Sequence, residues 1–464
     1  MSYDHIIIGG GLSGLAAGIR LARFGFKVLI LEQHSRPGGL NSYYYRQGRL
    51  FETGLHAMTN FADPGKKDAP LNRLFRQLKL SRKAFATLQQ QQSTILFPGD
   101  RSLRFTNDPQ VLIDEVARLF PESAERFRKL VDLVVGHDPF QPRPFASARK
   151  ILTKELANET LADMLLWPLM MYGNSCEHDM DFDQFVIMFQ SIFLEGFFRP
   201  EGTIKDFIDL LLNHYRDLGG EIRYLAPVKS VTQDAGRVRS VVLASGEELA
   251  AKFFLSTAGY PATLVFLGQD DPSRLDQYSG KMSFVELIYL IPSEIRSKLR
   301  AEDTIIFYNF DSPFDYCCPD EAVNVNCGVI CFPENFQDLT IGNECQVRVT
   351  HPANYHHWKK LSQDEYYPMK SLWAKRSEAV VGKIIGNYSQ NIVYQDSFTP
   401  ITIERYTGKV NGAIYGSPEK IRDGRTSMSN LFVAGTDQGY LGIVGAMLSG
   451  VTMVNQHLLQ TSEH

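Results

Sequence analysis

The stretch "IIIGGGLSGLAAG", Ile6 to Gly18, constrains the start of the fold more tightly than any other part of the chain. Asp4 to Ile8 reads as a short buried strand, and small and apolar residues recur at helical spacing from Ser13 to Phe24. Gly25 is a helix terminator, and Lys27 to Leu31 is a second buried strand that ends at Glu32. Strand, glycine loop, helix and strand within about thirty residues make a βαβ unit, the setting in which Gly9-x-Gly11-x-x-Gly14 has a mechanism. Gly9 permits the tight turn, Gly11 lets a pyrophosphate approach the backbone, and Gly14 lets helix and strand pack closely. The helix N-terminus offers N–H groups and the positive end of its dipole to phosphate, and Glu32 is placed to accept hydrogen bonds from ribose hydroxyls. The motif predicts a bound dinucleotide. It does not separate NAD from FAD, which share an ADP half.

With 464 residues, 44% of them apolar, the chain has material for two or three domains. The net charge is −4 and no long Lys/Arg block occurs, which argues against nucleic-acid binding by phosphate neutralisation. Cys176, Cys317, Cys318, Cys327, Cys331 and Cys345 form no CxxC pair and no Cys/His cluster. Reduced thiols and no bound metal are expected. The start, "MSYDHIII", lacks a basic signal region, and no run of about 18 apolar residues occurs. These features predict a cytoplasmic protein whose membrane contact, if it has any, is at the surface. "LADMLLWPLMMY", Leu161 to Tyr172, reads as a core helix, with a membrane-dipping or tunnel-mouth helix as the alternative for a lipid substrate.

Further along, Asn107 to Val135 reads as one or two amphipathic helices and Thr203 to Leu218 as another, closed by Gly219-Gly220. Three strands follow, with turns at Asp234-Ala235-Gly236 and Ser245-Gly246. Segments from Ser283 to Val349 are rich in strand-forming residues. A helix from about Asp364 to Ile385 precedes a strand near "NIVYQDSFTPITIERY", and the last helix is read as Gly445 to Leu459. "DFDQFVIMFQSIFLEGFF", Asp181 to Phe198, reads as core, with the lining of a hydrophobic tunnel as the alternative.

Just past Glu32 come Arg36-Pro37-Gly38-Gly39 and then Phe51-Glu52-Thr53-Gly54-Leu55-His56. A second glycine pair beyond the ribose carboxylate suits a long, extended FAD running past close backbone. Here the N-terminal block resembles the FAD-dependent phytoene desaturase, carotenoid isomerase and retinol saturase group within the amine-oxidase-like flavoproteins. "RPEGTIKDFIDLLLNHYRDLGGEIRYLAPVKSV", "FFLSTAGYPAT", "TPITIERYTGKVNGAIYG" and "NLFVAGTDQGYLGIVGAMLSG" are similar to further blocks of that family, in the family's order. The resemblance implies an α/β protein with a discontinuous Rossmann-like FAD-binding domain and an α+β substrate domain with a mixed sheet and a helical lid. The FAD-binding domain would take residues 1–85, 200–279 and 396–464, and the substrate domain 86–199 and 280–395. The resemblance further implies FAD contacts from Gly9, Gly11, Leu12, Ser13, Gly14, Glu32, Gln33, Arg36, Gly38, Gly39, Leu40, Gly54, Leu55, His56, Val228, Gly435, Asp437, Gly442, Ile443 and Val444. Val228 would contact the adenine side, Asp437 the ribityl chain or pyrophosphate, and Gly442 to Ala446 would present a helix N-terminus to the flavin. Leu40 departs from the Arg or His that the family often has there. Arg36 is the substitute cation expected.

The implied activity is oxidoreduction across carbon–carbon bonds of a polyene, isoprenoid or other long lipid, as desaturation, saturation or isomerisation. Flavin N5 would exchange the hydride in an apolar tunnel. His56 is the foremost acid/base candidate, because its ordinary pKa suits proton traffic near neutrality. Glu404, beside Arg405, and Tyr440 are weaker candidates, and His356 and His357 receive no role. A flavin amine oxidase and a flavin-free prenyl-lipid chaperone like the Rab GDP-dissociation inhibitors are the alternatives. A hydrophobic small-molecule substrate and peripheral membrane contact are the expected partners. Nothing in the sequence sets an oligomeric state.

Overall fold

The computed structural model describes residues 3–54, 56–141, 143–300 and 302–459. Two seven-stranded sheets organise the α/β chain. The first is built around a parallel core in the order Glu221–Arg223, Val28–Leu31, Tyr3–Ile8, Glu248–Ser256, Leu431–Val433. Its strands come from the beginning, middle and end of the chain. The antiparallel hairpin Val228–Asp234 and Arg237–Leu243 extends it, turning through Ala235 and Gly236, both at positive φ, where the Asp-Ala-Gly signal lies.

Packing explains the glycines of the opening motif. The helix Leu12–Ala22 leaves the first strand so tightly that a Cβ on Gly14 would stand 2.1 Å from the Gly9 carbonyl oxygen. At the other end of the chain, the helix Gly442–Met453 crosses that helix, and a Cβ on Gly450 would stand 2.2 Å from Ser13 O. A side chain at Gly14 would push its helix off the first strand, and one at Gly450 would force the two helices apart.

The second sheet is mixed, in the order Tyr394–Phe398, Ser283–Pro292, Glu344–Ala353, Cys327–Cys331, Ile305–Asn309, Ser93–Phe97, Arg101–Phe105. Strand alternation gives it two apolar faces. On one, Phe105, Ile305, Phe307 and Val329 pack against helices from the 109–194 region, including Glu159–Gly173 and Phe182–Phe189. On the other, Ile306, Tyr308, Val347 and Val349 pack against the long helix Gln363–Ile385. The helix over Leu161 to Tyr172 is therefore core: Leu165, Leu166, Leu169 and Met170 are fully buried. Phe185, Phe189, Phe193 and Phe197 are fully buried too, and from Asp181 to Phe198 only Met188 reaches the large cavity described below. Among the described residues no helix is long and apolar enough to cross a membrane.

Two boundaries differ from the sequence expectation. Only Tyr394–Phe398 of "NIVYQDSFTPITIERY" is strand; Pro400–Thr407 is a helix. Thr399 caps it reciprocally with Thr402, Pro400 takes the first turn where no N–H is needed, and Gly408, at φ 68°, ends it. The last helix starts at Gly442, three residues before the expected Gly445, because Gly442 and Gly445 lie within its first turn without breaking it.

Candidate active site

One cavity of about 1170 Å³ runs from the glycine loop to the second sheet. It exceeds the upper end of ordinary small-molecule pockets, roughly 1,000 Å³, so it has room for a dinucleotide and part of a second molecule.

At the nucleotide end, Gly9, Gly11, Leu12, Ser13, Glu32, Gln33, Arg36, Gly38, Gly39, Leu40, Gly54 and Val228 all line the wall. Gly38 N donates to Gly10 O at 2.9 Å, which lays the Arg-Pro-Gly-Gly segment against the glycine loop. Glu32 is buried; its Oε2 accepts from Gly10 N at 2.8 Å and its Oε1 from His34 N at 2.9 Å. Each carboxylate oxygen retains acceptor capacity for a ribose hydroxyl. The helix Leu12–Ala22 has neither a capping side chain nor an acid in its first turn, so its free N–H groups suit an anion. The helix Gly442–Met453 is uncapped in the same way, and Gly442 and Ile443 also open onto the cavity. Two uncapped helix starts, a ribose-type carboxylate and a glycine cradle around one long cavity fit FAD. Replacing Glu32 by Ala should weaken FAD by about 1.5–3 kcal/mol; an unchanged dissociation constant in a flavin-fluorescence titration would reject the ribose role.

Several expected contacts lie elsewhere. Gly14 and Val444 are buried behind the wall, one as a packing position and the other in the core. The Asp437 carboxylate is turned into the protein, where its oxygens accept from Tyr260 N and Ser417 N; it organises loops and is absent from the cavity wall. Arg36 does line the wall, at its exposed rim, its guanidinium 5.5 Å from the Tyr43 ring and 5.9 Å from that of Tyr45. Leu55 lies outside the described residues. Of the catalytic candidates, Glu404 accepts from Tyr355 Oη at 2.7 Å and from Lys359 Nζ at 3.0 Å and does not line the cavity, so its helix holds it in an ion pair. Tyr440 stacks on Phe140 at 5.9 Å, outside the wall. Neither lines the cavity.

His56 does, between the cradle and an apolar compartment walled by Met171, Tyr172, Met188, Phe284, Val329 and Tyr415. Its Nε2 lies 3.2 Å from Glu286 Oε1 and 3.5 Å from Thr350 Oγ1. Glu286 in turn accepts from the Arg348 guanidinium, at 2.6 Å from Nε and through Nη2 as well, and Arg348 Nη2 donates to Thr53 O at 3.2 Å. Burial alone would raise the Glu286 carboxyl, but Arg348 and then His56 outweigh it and hold Glu286 below its usual range. Arg348 is held above its usual range, because Glu286 overcomes the burial penalty. An ionised Glu286 can only accept, so His56 Nε2 carries the hydrogen of that contact.

Strand register brings these groups together. Glu286 pairs directly with Thr350, and Ile288 with Arg348, so Glu286, Arg348 and Thr350 share one face of adjacent strands. The sequence expectation missed all three. The signal was a glutamate in the middle of "SFVELIYLI" and an arginine in "CQVRVT", charges inside buried strands that need a partner there.

Similarity to known proteins agrees with this geometry. The chain is 22% identical over 520 residues to all-trans-retinol 13,14-reductase of Danio rerio, covering 97% of this chain and 85% of that protein. It is 26% identical over 496 residues to the chloroplastic prolycopene isomerase of Arabidopsis thaliana, covering 97% and 81%. The fold matches a crystal structure of an oxidoreductase from Methanosarcina mazei with TM-score 0.67 and 15% identity, over 97% of this chain and 99% of that one. Wild-type putrescine oxidase bound to putrescine gives TM-score 0.65 and 16% identity, over 99% of each chain. The profile described as "Flavin containing amine oxidoreductase" matches residues 12–284, more than half of the 464 residues, and the chain belongs to this family.

Proposed function

We propose that this FAD-dependent oxidoreductase acts on carbon–carbon bonds of a polyene, isoprenoid or other long hydrophobic lipid, by desaturation, saturation or isomerisation. In this reading residues 1–85, 200–279 and 396–464 hold the cofactor, and 86–199 with 280–395 enclose the substrate. One observation carries the proposal: the dinucleotide cradle and an apolar, aromatic-walled compartment are a single cavity, with one acid/base cluster at their junction. When bound, FAD supplies hydride exchange at N5.

The chain's own groups do the rest. Glu32, the glycine loop and the two helix N-termini orient the cofactor. Met171, Met188, Phe284 and Val329 exclude water from the reacting bond. His56 Nδ1 takes or returns the proton that must move when hydrogen is removed from or added to carbon. Glu286 holds the imidazole by Nε2, and Arg348 keeps Glu286 ionised.

The reductase and isomerase among the relatives carry retinol and prolycopene in their names, which supports a polyene. An amine substrate fits less well. The carboxylates on the cavity wall among the described residues are Glu32 at the nucleotide end, Glu286 paired with Arg348, and Asp396, which accepts from Tyr44 Oη at 3.0 Å. The first two have roles in cofactor and imidazole binding, and Asp396 also accepts from Ser397 N at 2.7 Å. A flavin-free chaperone does not accord with membership of a flavin-containing family.

Anaerobic incubation of the holoenzyme with a polyene and with an aliphatic amine tests the proposal. Bleaching of the oxidised flavin band by the polyene, or polyene turnover by the reduced enzyme, supports it; bleaching by the amine alone overturns it. Contact with a membrane surface is part of the same proposal, and full recovery of the protein in the lipid-free fraction after liposome flotation would remove that part.

A further inference from the structure

A buried group of charges stands behind the cradle. Asp437 is 1% exposed and Lys409 14%, with Lys409 Nζ 3.8 Å from Asp437 Oδ1 and 3.5 Å from Thr436 Oγ1. Lys420 closes the group from the other side, its Nζ donating to the carbonyls of Tyr415 at 2.8 Å and Thr436 at 3.1 Å. Burial would raise the Asp437 carboxyl, but Lys409 and Lys420 hold it below its usual range. Lys420 is pushed down to about 8 by burial and so remains mostly charged at neutral pH. Two lysines therefore flank one buried carboxylate, Lys409 in an ion pair with it and Lys420 bonded to the carbonyls beside it.

Lys409 is the member that reaches the cavity. It lines the wall together with Gly9, Gly11, Thr257, Gly435 and Thr436. Gly408 ends the preceding helix and turns the chain so that Lys409 points back toward Gly259, where an added Cβ would stand 2.7 Å from Nζ. Two residues before Gly259, the Thr257 hydroxyl bonds to Ile8 O at 3.0 Å and Gly9 O at 3.2 Å, which joins this segment to the glycine loop. The paired glycines are followed by Leu40, which carries no charge, and Arg36 is at the rim.

We propose that Lys409 is the cation that neutralises the diphosphate of the bound dinucleotide, and that Asp437 and Lys420 behind it hold its ammonium group toward the cradle. The role that sequence left vacant at position 40 is then filled from a segment about 370 residues away in the chain, brought back by the fold.

FAD titration of the apoprotein tests this, with wild type, Lys409→Gln and Lys409→Arg compared by flavin fluorescence. Glutamine, one atom shorter, keeps a polar head without charge, and arginine keeps the charge. Lys409→Gln should lose roughly 10- to 100-fold in FAD affinity, the range of one charge-assisted contact. Lys409→Arg should stay within a few-fold of wild type, and the melting temperatures of both apoproteins should stay close to that of wild-type apoprotein. Wild-type affinity in Lys409→Gln, or an equal loss in Lys409→Arg, overturns the proposal. Should Lys409→Gln fail to fold, Lys409→Met/Asp437→Asn, which removes both members of the ion pair, carries the same comparison. A wild-type apoprotein that takes up no FAD would be a different failure, that of the cofactor assignment.

Discussion

Replacing His56 with alanine should slow turnover by about 10²–10⁴-fold, the range in which a positioned proton-transfer group contributes, while the flavin stays bound. The loss should fall on kcat more than on KM, because a proton-transfer group acts in the transition state rather than in substrate binding. His56→Gln should be nearly as slow, since an amide can hold a hydrogen bond to Glu286 but cannot exchange a proton near neutrality. The flavin spectrum and rapid-mixing measurement of reduction by the polyene would check this. Reduction at the wild-type rate in His56→Ala would show that the proton travels another way, and would remove His56 from the mechanism.

Arg348→Met should cost about 3–5 kcal/mol of stability, the usual effect of stranding one member of a buried pair. Arg348 is 1% exposed on its side chain and Glu286 10%, so the remaining carboxylate would have almost no water to replace the guanidinium. The double variant Arg348→Met/Glu286→Leu should regain most of that loss, because the desolvation penalty goes with the charge. Urea unfolding of the single and double variants measures both quantities. A single variant within about 1 kcal/mol of wild type would mean the pair contributes no more than a surface salt bridge.

The same pair sets a pH dependence. The folded state holds the Glu286 carboxyl below its usual range. Its contribution to stability is therefore fully present above the ordinary carboxylate pKa, about 4.3, and is lost as pH falls from there through the depressed folded value. Neutral-to-acid unfolding profiles of wild type and Glu286→Gln should converge at low pH and separate above it.

What could be read without a structure was local. The strand, loop and helix from Asp4 to Ala22 follow from hydrophobic period and from glycines whose neighbours allow no Cβ, and such signals lie within a few residues of their effect. Glu32 belongs with them, because the βαβ geometry fixes its distance from the loop. The same kind of local chemistry was available and unread at Thr399-Pro400-Ile401-Thr402, whose capping box starts a helix where strand was expected. His56 could be named as the acid/base candidate, but its partners could not, since they are about 230 and 290 residues further on.

Tertiary structure alone decided which charges meet. Glu286 and Arg348 acquire their pKa directions and their hold on His56 only when two distant strands pair in one register; a one-residue slip of either strand would put the two on opposite faces. Asp437 was expected at the cofactor, yet Tyr260, Ser417 and two lysines draw it inward, and Lys409 stands at the cavity in its place. Electrostatic energy depends on separation and burial, neither of which is written along the chain, whereas backbone conformation is set largely by neighbouring residues. The glycine loop and its helix were therefore determined by the sequence read by itself, and the proton-handling and charge-balancing groups by the fold.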